Sequence, residues 1–260
     1  VAVAVIFSTI NVFAAEEAKV AVADEKIVAA PAEEETKWTP TGEVTLVGRT
    51  GYVSSYSGLA CYTKPLMSQS IIVGADKGGN GFYIMAENFT PSEQEGKETD
   101  FYVGFYVEKF GVKVDGGYGY YWIREHKATD IHALYAEITF PSPIWGIVPL
   151  VKMEYDFAQK TSEGEDLNGF MYYGGFKREF KIHERVTVTP EIGVGGNTGL
   201  YGLPADNIAY TREKVDVSVS IIEHLKVKLT LQTQQNLGKQ DGIAKDTDRL
   251  FVYLAAVATF

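Results

Sequence analysis

The stretch IVPLVKMEYDF, residues 147–157, is apolar or aromatic at every odd position and charged at three of its even positions. The charged set is Lys152, Glu154 and Asp156. Successive side chains of an extended strand point to opposite faces, so the two sets lie on different faces. This pattern predicts a β-strand with one face toward an apolar medium and the other toward a polar interior.

The same separation by parity recurs along the chain. Residues 186–194 place valine, proline and isoleucine on one face and Thr187, Thr189 and Glu191 on the other. Residues 225–232 alternate leucine and valine with Lys226, Lys228, Thr230 and Gln232. Residues 101–107, 112–122 and 215–219 follow the pattern less cleanly, and the last stretch, LFVYLAAVATF (250–260), is apolar on both faces. We count about twelve such stretches, the number expected of a mid-sized barrel.

The connections between these stretches are sorted by length. Those at 77–80, 108–110, 181–185 and 221–224 are tight, whereas those at 57–66, 88–98, 158–168, 196–206 and 236–247 each span about ten residues. The loop at 124–128 is only moderate, and the turn at 141–146 is long for its side. Such alternation predicts an all-β fold over residues 41–260: a transmembrane antiparallel up-and-down β-barrel of about 12 strands, with short periplasmic turns and longer outer loops.

The N-terminal region differs in composition from the barrel. Residues 1–15, VAVAVIFSTINVFAA, match the apolar core and cleavage region of a signal peptide that lacks its start. Residues 16–40 are rich in alanine and glutamate, which predicts a disordered acidic linker in the periplasm. We therefore expect a bacterial outer-membrane location, with the lipid bilayer and the outer-membrane assembly machinery as partners.

Composition narrows the function. The formal net charge of −10 and the lack of a basic cluster argue against a nucleic-acid partner. The single cysteine, Cys61, cannot form a disulfide framework. The four histidines have no metal-ligand spacing and no serine lies in a nucleophile motif, so we expect no metal, no cofactor and no catalytic residues.

The inward parity supplies the candidate site. A barrel of about eight strands is filled by side chains and one of 16 to 18 leaves an aqueous channel, so about twelve strands can form a narrow pore or a closed lumen. The predicted lumen-lining residues carry both signs of charge. They are Lys113, Asp115, Lys152, Glu154, Asp156, Glu191, Asp216, Lys226 and Lys228. These charges must pair or be wetted, and a structural salt-bridge network without a transport role is the alternative.

Aromatic residues are abundant, with Tyr 16 and Phe 14. We assign most of them to interfacial girdles, with Tyr121 as a candidate lumen-facing contact.

Several short motifs resemble the TorF-like (Gcw_chp) family of bacterial outer-membrane proteins. They are Ser54-Ser55-Tyr56 with Gly58, Pro65, Gly81-Phe82-Tyr83 with Asn88, TDFYVGFYVEKFGVKVDGGYGYYW (99–122) and Tyr135-Ala136-Glu137. The resemblance covers about the first half of the barrel and implies an outer-membrane barrel with no established substrate. Phe260, preceded by apolar residues spaced two apart, is similar to the signal that such barrels present to their assembly machinery.

These observations favour a narrow channel or binding barrel for a small polar solute. One alternative is a closed structural or adhesive barrel that acts through outer loops such as PSEQEGKET (91–99) and TSEGEDLN (161–168). An outer-membrane hydrolase and a soluble ligand-binding barrel are further alternatives.

Overall fold

A computed structural model describes residues 37–53, 60–62, 64–92, 97–124, 130–140, 145–157, 168–198, 208–237 and 250–260. The predicted signal peptide, the linker up to residue 36, the Ser54-Ser55-Tyr56 motif and much of the long loops lie outside the described residues. The first strand begins at Thr39, two positions before the predicted start of the barrel.

The described residues form twelve long strands. They are β1 (Thr39–Arg49), β2 (Leu66–Lys77), β3 (Asn80–Pro91), β4 (Lys97–Lys109), β5 (Val112–Arg124), β6 (Ile131–Thr139), β7 (Ile147–Phe157), β8 (Gly169–Arg178 and, after a break at Glu179, Phe180–His183), β9 (Val186–Thr198), β10 (Ile208–Ile222), β11 (Leu225–Asn236) and β12 (Leu250–Thr259). A small separate hairpin pairs Tyr52–Val53 with Ala60–Tyr62.

Each long strand pairs antiparallel with its neighbours in sequence, and the ring closes between β1 and β12. The seam runs from Glu43 opposite Thr259 to Arg49 opposite Tyr253. Beyond the strand, the Phe260 N–H donates to the Gly42 carbonyl oxygen at 3.0 Å, and the Gly42 N–H donates back to the Phe260 carbonyl oxygen at 2.9 Å. The predicted fold is confirmed: the chain forms a closed antiparallel β-barrel of 12 strands.

No helix long and apolar enough to cross a membrane occurs in the described part of the chain.

The tight connections lie together at one end of the barrel, which we call the short-turn end. Gly78 and Gly79 join β2 to β3 with φ of 60° and 83°, and Phe110 and Gly111 join β4 to β5 with φ of 54° and 74°. Positive φ at both central residues is the turn geometry whose twist matches that of the flanking strands. The longer connections lie at the opposite, long-loop end, where β1, β3, β5, β7, β9 and β11 finish.

The outer wall of the barrel is apolar. In β4, in β7 and at Ile192 and Val194 of β9, the predicted apolar parity is the more exposed one, and Val103 in the middle of β4 is 60% exposed. Aromatic rings mark both ends of this wall: Trp38 lies 5.6 Å from Phe82 near the short-turn end, and Tyr120 contacts His132 near the long-loop end. An apolar belt bordered by aromatic residues is the surface that a barrel presents to lipid.

Candidate functional site: the barrel lumen

Inward tyrosine rings lie across glycines of neighbouring strands. A Cβ built at Gly104 would lie 2.4 Å from Tyr83 Cζ and 2.4 Å from Tyr135 Oη. A Cβ at Gly195 would lie 2.3 Å from Tyr210 Oη. These positions accept only glycine because a tyrosine ring occupies the space of the missing side chain.

These tyrosines correct part of the girdle assignment. Besides Tyr121, seven tyrosines among the described residues point into the lumen rather than toward the lipid boundary. They are Tyr83, Tyr102, Tyr106, Tyr135, Tyr173, Tyr210 and Tyr253. Composition cannot distinguish an inward ring from an outward one, but parity can, because these tyrosines share the inward parity of each strand's polar residues.

The short-turn half of the lumen contains a cavity of about 730 Å³. Its polar lining combines tyrosine hydroxyl groups, carboxylates and one ammonium group. The lining includes Glu43, Tyr83, Glu87, Tyr102, Tyr106, Lys113, Asp115 and Tyr135. This volume is large enough for a small solute.

Two predicted residues, Lys113 and Asp115, lie in the cavity wall on β5. Lys113 Nζ lies 4.3 Å from the centre of the Tyr106 ring, a cation–π distance. The Tyr83 hydroxyl donates to Asp115 at 2.8 Å and lies 2.8 Å from the Tyr135 hydroxyl. Because the Tyr83 proton goes to the carboxylate, Tyr135 acts as the donor to Tyr83. These two hydrogen bonds fix the orientation of the Tyr83 and Tyr135 side chains in the cavity wall.

A second group of predicted residues forms an ionic network on β9, β10 and β11. Asp216 lies 2.9 Å from Lys228 Nζ and 3.7 Å from Lys214 Nζ, and it accepts a hydrogen bond from Thr230 at 2.5 Å. Lys214 Nζ also lies 2.7 Å from Glu191, which accepts from Tyr173. The two carboxylates and the two ammonium groups of this network compensate each other's charge on this side of the lumen.

The other predicted residues are distributed over β7 and β11. Lys152 Nζ lies 2.7 Å from Glu137 on β6. Glu154 and Asp156 are buried on the inward face of β7. Lys226 is exposed at the short-turn end of β11, apart from the network around Asp216.

Side chains fill the lumen near the long-loop end. The fully buried residues there come from strands all around the ring: Ser68, Phe89, Asp156, Asn197, Tyr210 and Gln234. The Arg212 guanidinium lies 4.9 Å from the Tyr173 ring and 5.2 Å from the Tyr210 ring, and these rings are nearly parallel. The lumen therefore has an open half and a filled half.

Two inward arginines are important contributors that sequence reasoning missed. Arg49 at the end of β1 donates to Glu87 at 2.8 Å and lies over the Phe89 and Tyr253 rings. Arg212 belongs to the filled half. Both share the inward parity of their strands, and that signal could have identified them.

The described histidines lie outside the lumen. His132 faces outward and contacts the rings of Tyr118, Tyr120 and Phe157, while His183 and His224 are exposed near the short-turn end. His126 lies outside the described residues. Among the residues that the structure describes, no group of three or more His, Cys, Asp or Glu side chains could hold a metal ion.

Comparison with solved structures assigns the chain to a class of fold. It is similar to the NanC porin, with a TM-score of 0.53 and 10% identity over 84% of this chain and 98% of the porin. It is similar to the KdgM porin, with a TM-score of 0.53 and 8% identity over 85% of this chain and 99% of the other. It is also similar to the translocator domain of the autotransporter NalP from Neisseria meningitidis, with a TM-score of 0.52 and 10% identity over 88% and 90% of the two chains. The shared feature is the fold of outer-membrane β-barrels.

No family model and no curated protein matches the chain, and the resemblance to the TorF-like family stays a prediction.

Proposed function

We propose that this protein is a narrow outer-membrane channel for a small polar solute. The observation that carries the proposal is the cavity of about 730 Å³ inside a closed barrel with an apolar outer wall, in which tyrosine hydroxyl groups, carboxylates and Lys113 lie among apolar side chains. Porins are among the solved barrels that share this fold, so the fold is compatible with a channel.

The orientation follows the rule for outer-membrane barrels. Their short turns face the periplasm and their long loops face outward. The cavity would then open toward the periplasm. The filled layer near the long-loop end would be the narrowest part of the path.

Conductance across a planar lipid bilayer tests the proposal. The purified full-length chain should give discrete current steps that are smaller than those of a 16-stranded porin, because side chains fill part of its lumen. Tyr210→Ala removes a buried ring from the filled layer and should enlarge the steps, whereas Tyr172→Ala on the outward face should leave them unchanged. A folded protein without current steps, together with proteoliposomes that do not swell in small sugars, would refute the channel.

The filled layer itself favours a second candidate, a closed structural or adhesive barrel that acts through its outer loops. Side chains from strands all around the ring are fully buried there, which suits a barrel without an open path. Replacing residues 158–168 with a short turn should then abolish the cellular phenotype while the barrel stays folded. In a channel, the same replacement should preserve solute uptake.

A further inference from the structure

Four neighbouring strands build a flat aromatic surface in the wall of the cavity. In the strand register, one row across the sheet contains Tyr83 on β3, Gly104 on β4, Gly117 on β5 and Tyr135 on β6. Residues opposite each other on paired strands share one face of the sheet. The row therefore consists of two inward tyrosines that flank two positions without side chains.

The two tyrosines lie along the wall rather than across the lumen. A Cβ built at Gly104 would overlap the phenol ends of both tyrosines, and a Cβ at Gly117 would overlap the Tyr135 hydroxyl group. The two hydroxyl groups meet over these glycines at 2.8 Å. Because the backbone of β4 and β5 lies beneath the phenol groups, the opposite side of each tyrosine points into the cavity that both residues line. We call Tyr83 and Tyr135 together the tyrosine floor.

Tyr102 limits the floor toward the long-loop end. Its ring centre lies 5.8 Å from that of Tyr135, and the two ring planes are 80° apart, so Tyr102 stands upright beside the floor. Its other neighbour is the buried ring of Tyr121 at 5.6 Å. A flat ligand on the floor would therefore be limited on this side by an aromatic wall.

Polar groups border the floor toward the short-turn end. Lys113 and Asp115 both point inward on β5, and Asp115 accepts a hydrogen bond from Tyr83 at 2.8 Å. The Tyr106 ring lies over Gly81, and Lys113 Nζ lies over that ring at 4.3 Å from its centre. An ammonium donor and a carboxylate acceptor are thus held beside the aromatic surface.

The chemical class of the ligand follows from this combination of an aromatic floor and a polar border. A pyranose with equatorial hydroxyl groups has an apolar C–H face and a polar edge. The electron-rich faces of tyrosine rings favour contact with such C–H groups. The hydroxyl groups at the edge can accept a hydrogen bond from Lys113 and donate one to Asp115.

The charges in the cavity wall favour an uncharged ligand. Lys113 and Asp115 have opposite charges and lie two residues apart on the same face of β5. Glu87 pairs with Arg49 at 2.8 Å, and Glu43 is a further carboxylate of the lining. Because acids lie beside bases, the floor has no border of uniform charge that would select a strongly charged solute.

We propose that the tyrosine floor binds the C–H face of an uncharged pyranose, and that Lys113 and Asp115 form hydrogen bonds with its hydroxyl groups. This inference deepens the proposed channel function, on which it rests for the passage of the solute, by naming a neutral sugar as the solute class.

Saturation-transfer NMR with methyl β-D-glucopyranoside tests the site, with the full chain in a detergent that has no sugar headgroup. We expect the glycoside to bind, with the strongest saturation on the axial C–H protons of one ring face. Sorbitol, which has hydroxyl groups but no ring face, should not bind. The methyl glycoside of glucuronic acid, which adds a negative charge to the same ring, should bind no more tightly than the neutral glycoside.

Substitutions separate the ring from its hydroxyl group. Tyr135→Ala removes half of the floor and should weaken glycoside binding by about tenfold or more, whereas Tyr135→Phe retains the ring and should stay within about threefold of the wild type. Tyr172→Ala removes an exposed ring from the outer wall and should leave binding unchanged. A thermal melt shows whether each variant is folded, and Tyr83→Ala provides a second variant of the floor.

Three results would refute the site. They are a folded wild type that does not bind the glycoside, sorbitol binding as tightly as the glycoside, and folded alanine variants of the floor that bind the glycoside like the wild type. Tighter binding of the glucuronic acid glycoside would overturn the assignment of a neutral sugar.

The experiment separates this site from the channel. Saturation-transfer NMR needs no membrane, so glycoside binding without bilayer current would refute the channel and retain the site. Current steps without glycoside binding would retain the channel and refute the site.

Discussion

Replacing Gly195 with alanine should destabilise the barrel, because the added methyl group would overlap the Tyr210 side chain. The new Cβ would lie 2.3 Å from Tyr210 Oη, 2.4 Å from Tyr210 Cζ and 2.7 Å from the backbone oxygen of Tyr172. Carbon atoms prefer separations of about 3.5–4.0 Å, so the ring must retreat by about 1 Å.

The size of the effect follows from what holds the ring in place. Tyr210 is fully buried, stacks on Tyr173 at 6.3 Å and receives the Arg212 guanidinium at 5.2 Å. Tyr172 belongs to β8, which is hydrogen-bonded on both sides, so its carbonyl group cannot move away cheaply. Overpacking of a filled interior costs about 1–3 kcal/mol, and we expect the upper half of that range.

Gly174→Ala provides a matched control. Gly174 lies on the same pair of strands, opposite Val194, but faces outward, and a Cβ there meets nothing within 4 Å. Alanine should stabilise that position by about 0.5–1 kcal/mol, because glycine loses more chain entropy on folding. Unfolding in urea from lipid vesicles measures both. Equal midpoints for the two variants would refute the packing of Tyr210 on Gly195.

Three further changes test the network, the outer wall and the seam. Asp216→Asn should cost about 2–3 kcal/mol of unfolding free energy, and its double-mutant cycle with Lys228→Gln should give a coupling of about 1 kcal/mol; no coupling would contradict the 2.9 Å pair. Val103→Arg should cost about 2–4 kcal/mol in vesicles because it places a charge in the lipid-facing wall, whereas Val103→Leu should be nearly neutral. Phe260→Ala should change the free energy of unfolding by less than about 1 kcal/mol, because the ring is 70% exposed and the backbone hydrogen bonds to Gly42 remain. If Phe260 is the assembly signal, the same variant should lower the amount of inserted protein in cells.

The alternation of apolar and polar side chains predicted the fold, because the barrel imposes this local pattern on every strand. The segment 147–157 alone separates a lipid-facing set from a lumen-facing set, and the register of β7 between β6 and β8 retains this separation. The alternation of short and long connections further predicted a closed barrel, because strands joined in this way run up and down one wall. The final strand gave no parity signal, and its inward Phe251 and Tyr253 were identified only by its pairing with β1.

Which luminal charges pair with each other depends on which strands are neighbours and on how the strands tilt. The alternation of apolar and polar residues along one strand carries no information about either. Asp216 meets Lys228 across one strand pair, and Lys214 leans toward both Asp216 and Glu191. Two carboxylates on one strand, Glu154 and Asp156, look equivalent in sequence to any paired acid. In the structure, Glu154 accepts from the Tyr121 hydroxyl, and neither acid forms an ion pair with a described lysine, arginine or histidine.

The width of this lumen depends on side chains more than on strand number. Where Gly81 and Gly104 face inward, the rings of Tyr106 and Tyr83 lie flat against the wall, and the cavity of about 730 Å³ remains beside them. Near the long-loop end, the Phe89 ring and the Arg49 side chain reach inward and contact each other. The side chains that point inward at each level therefore set the width of this lumen. The narrow layer is accordingly a property of individual residues, and single substitutions should widen it without altering the ring of strands.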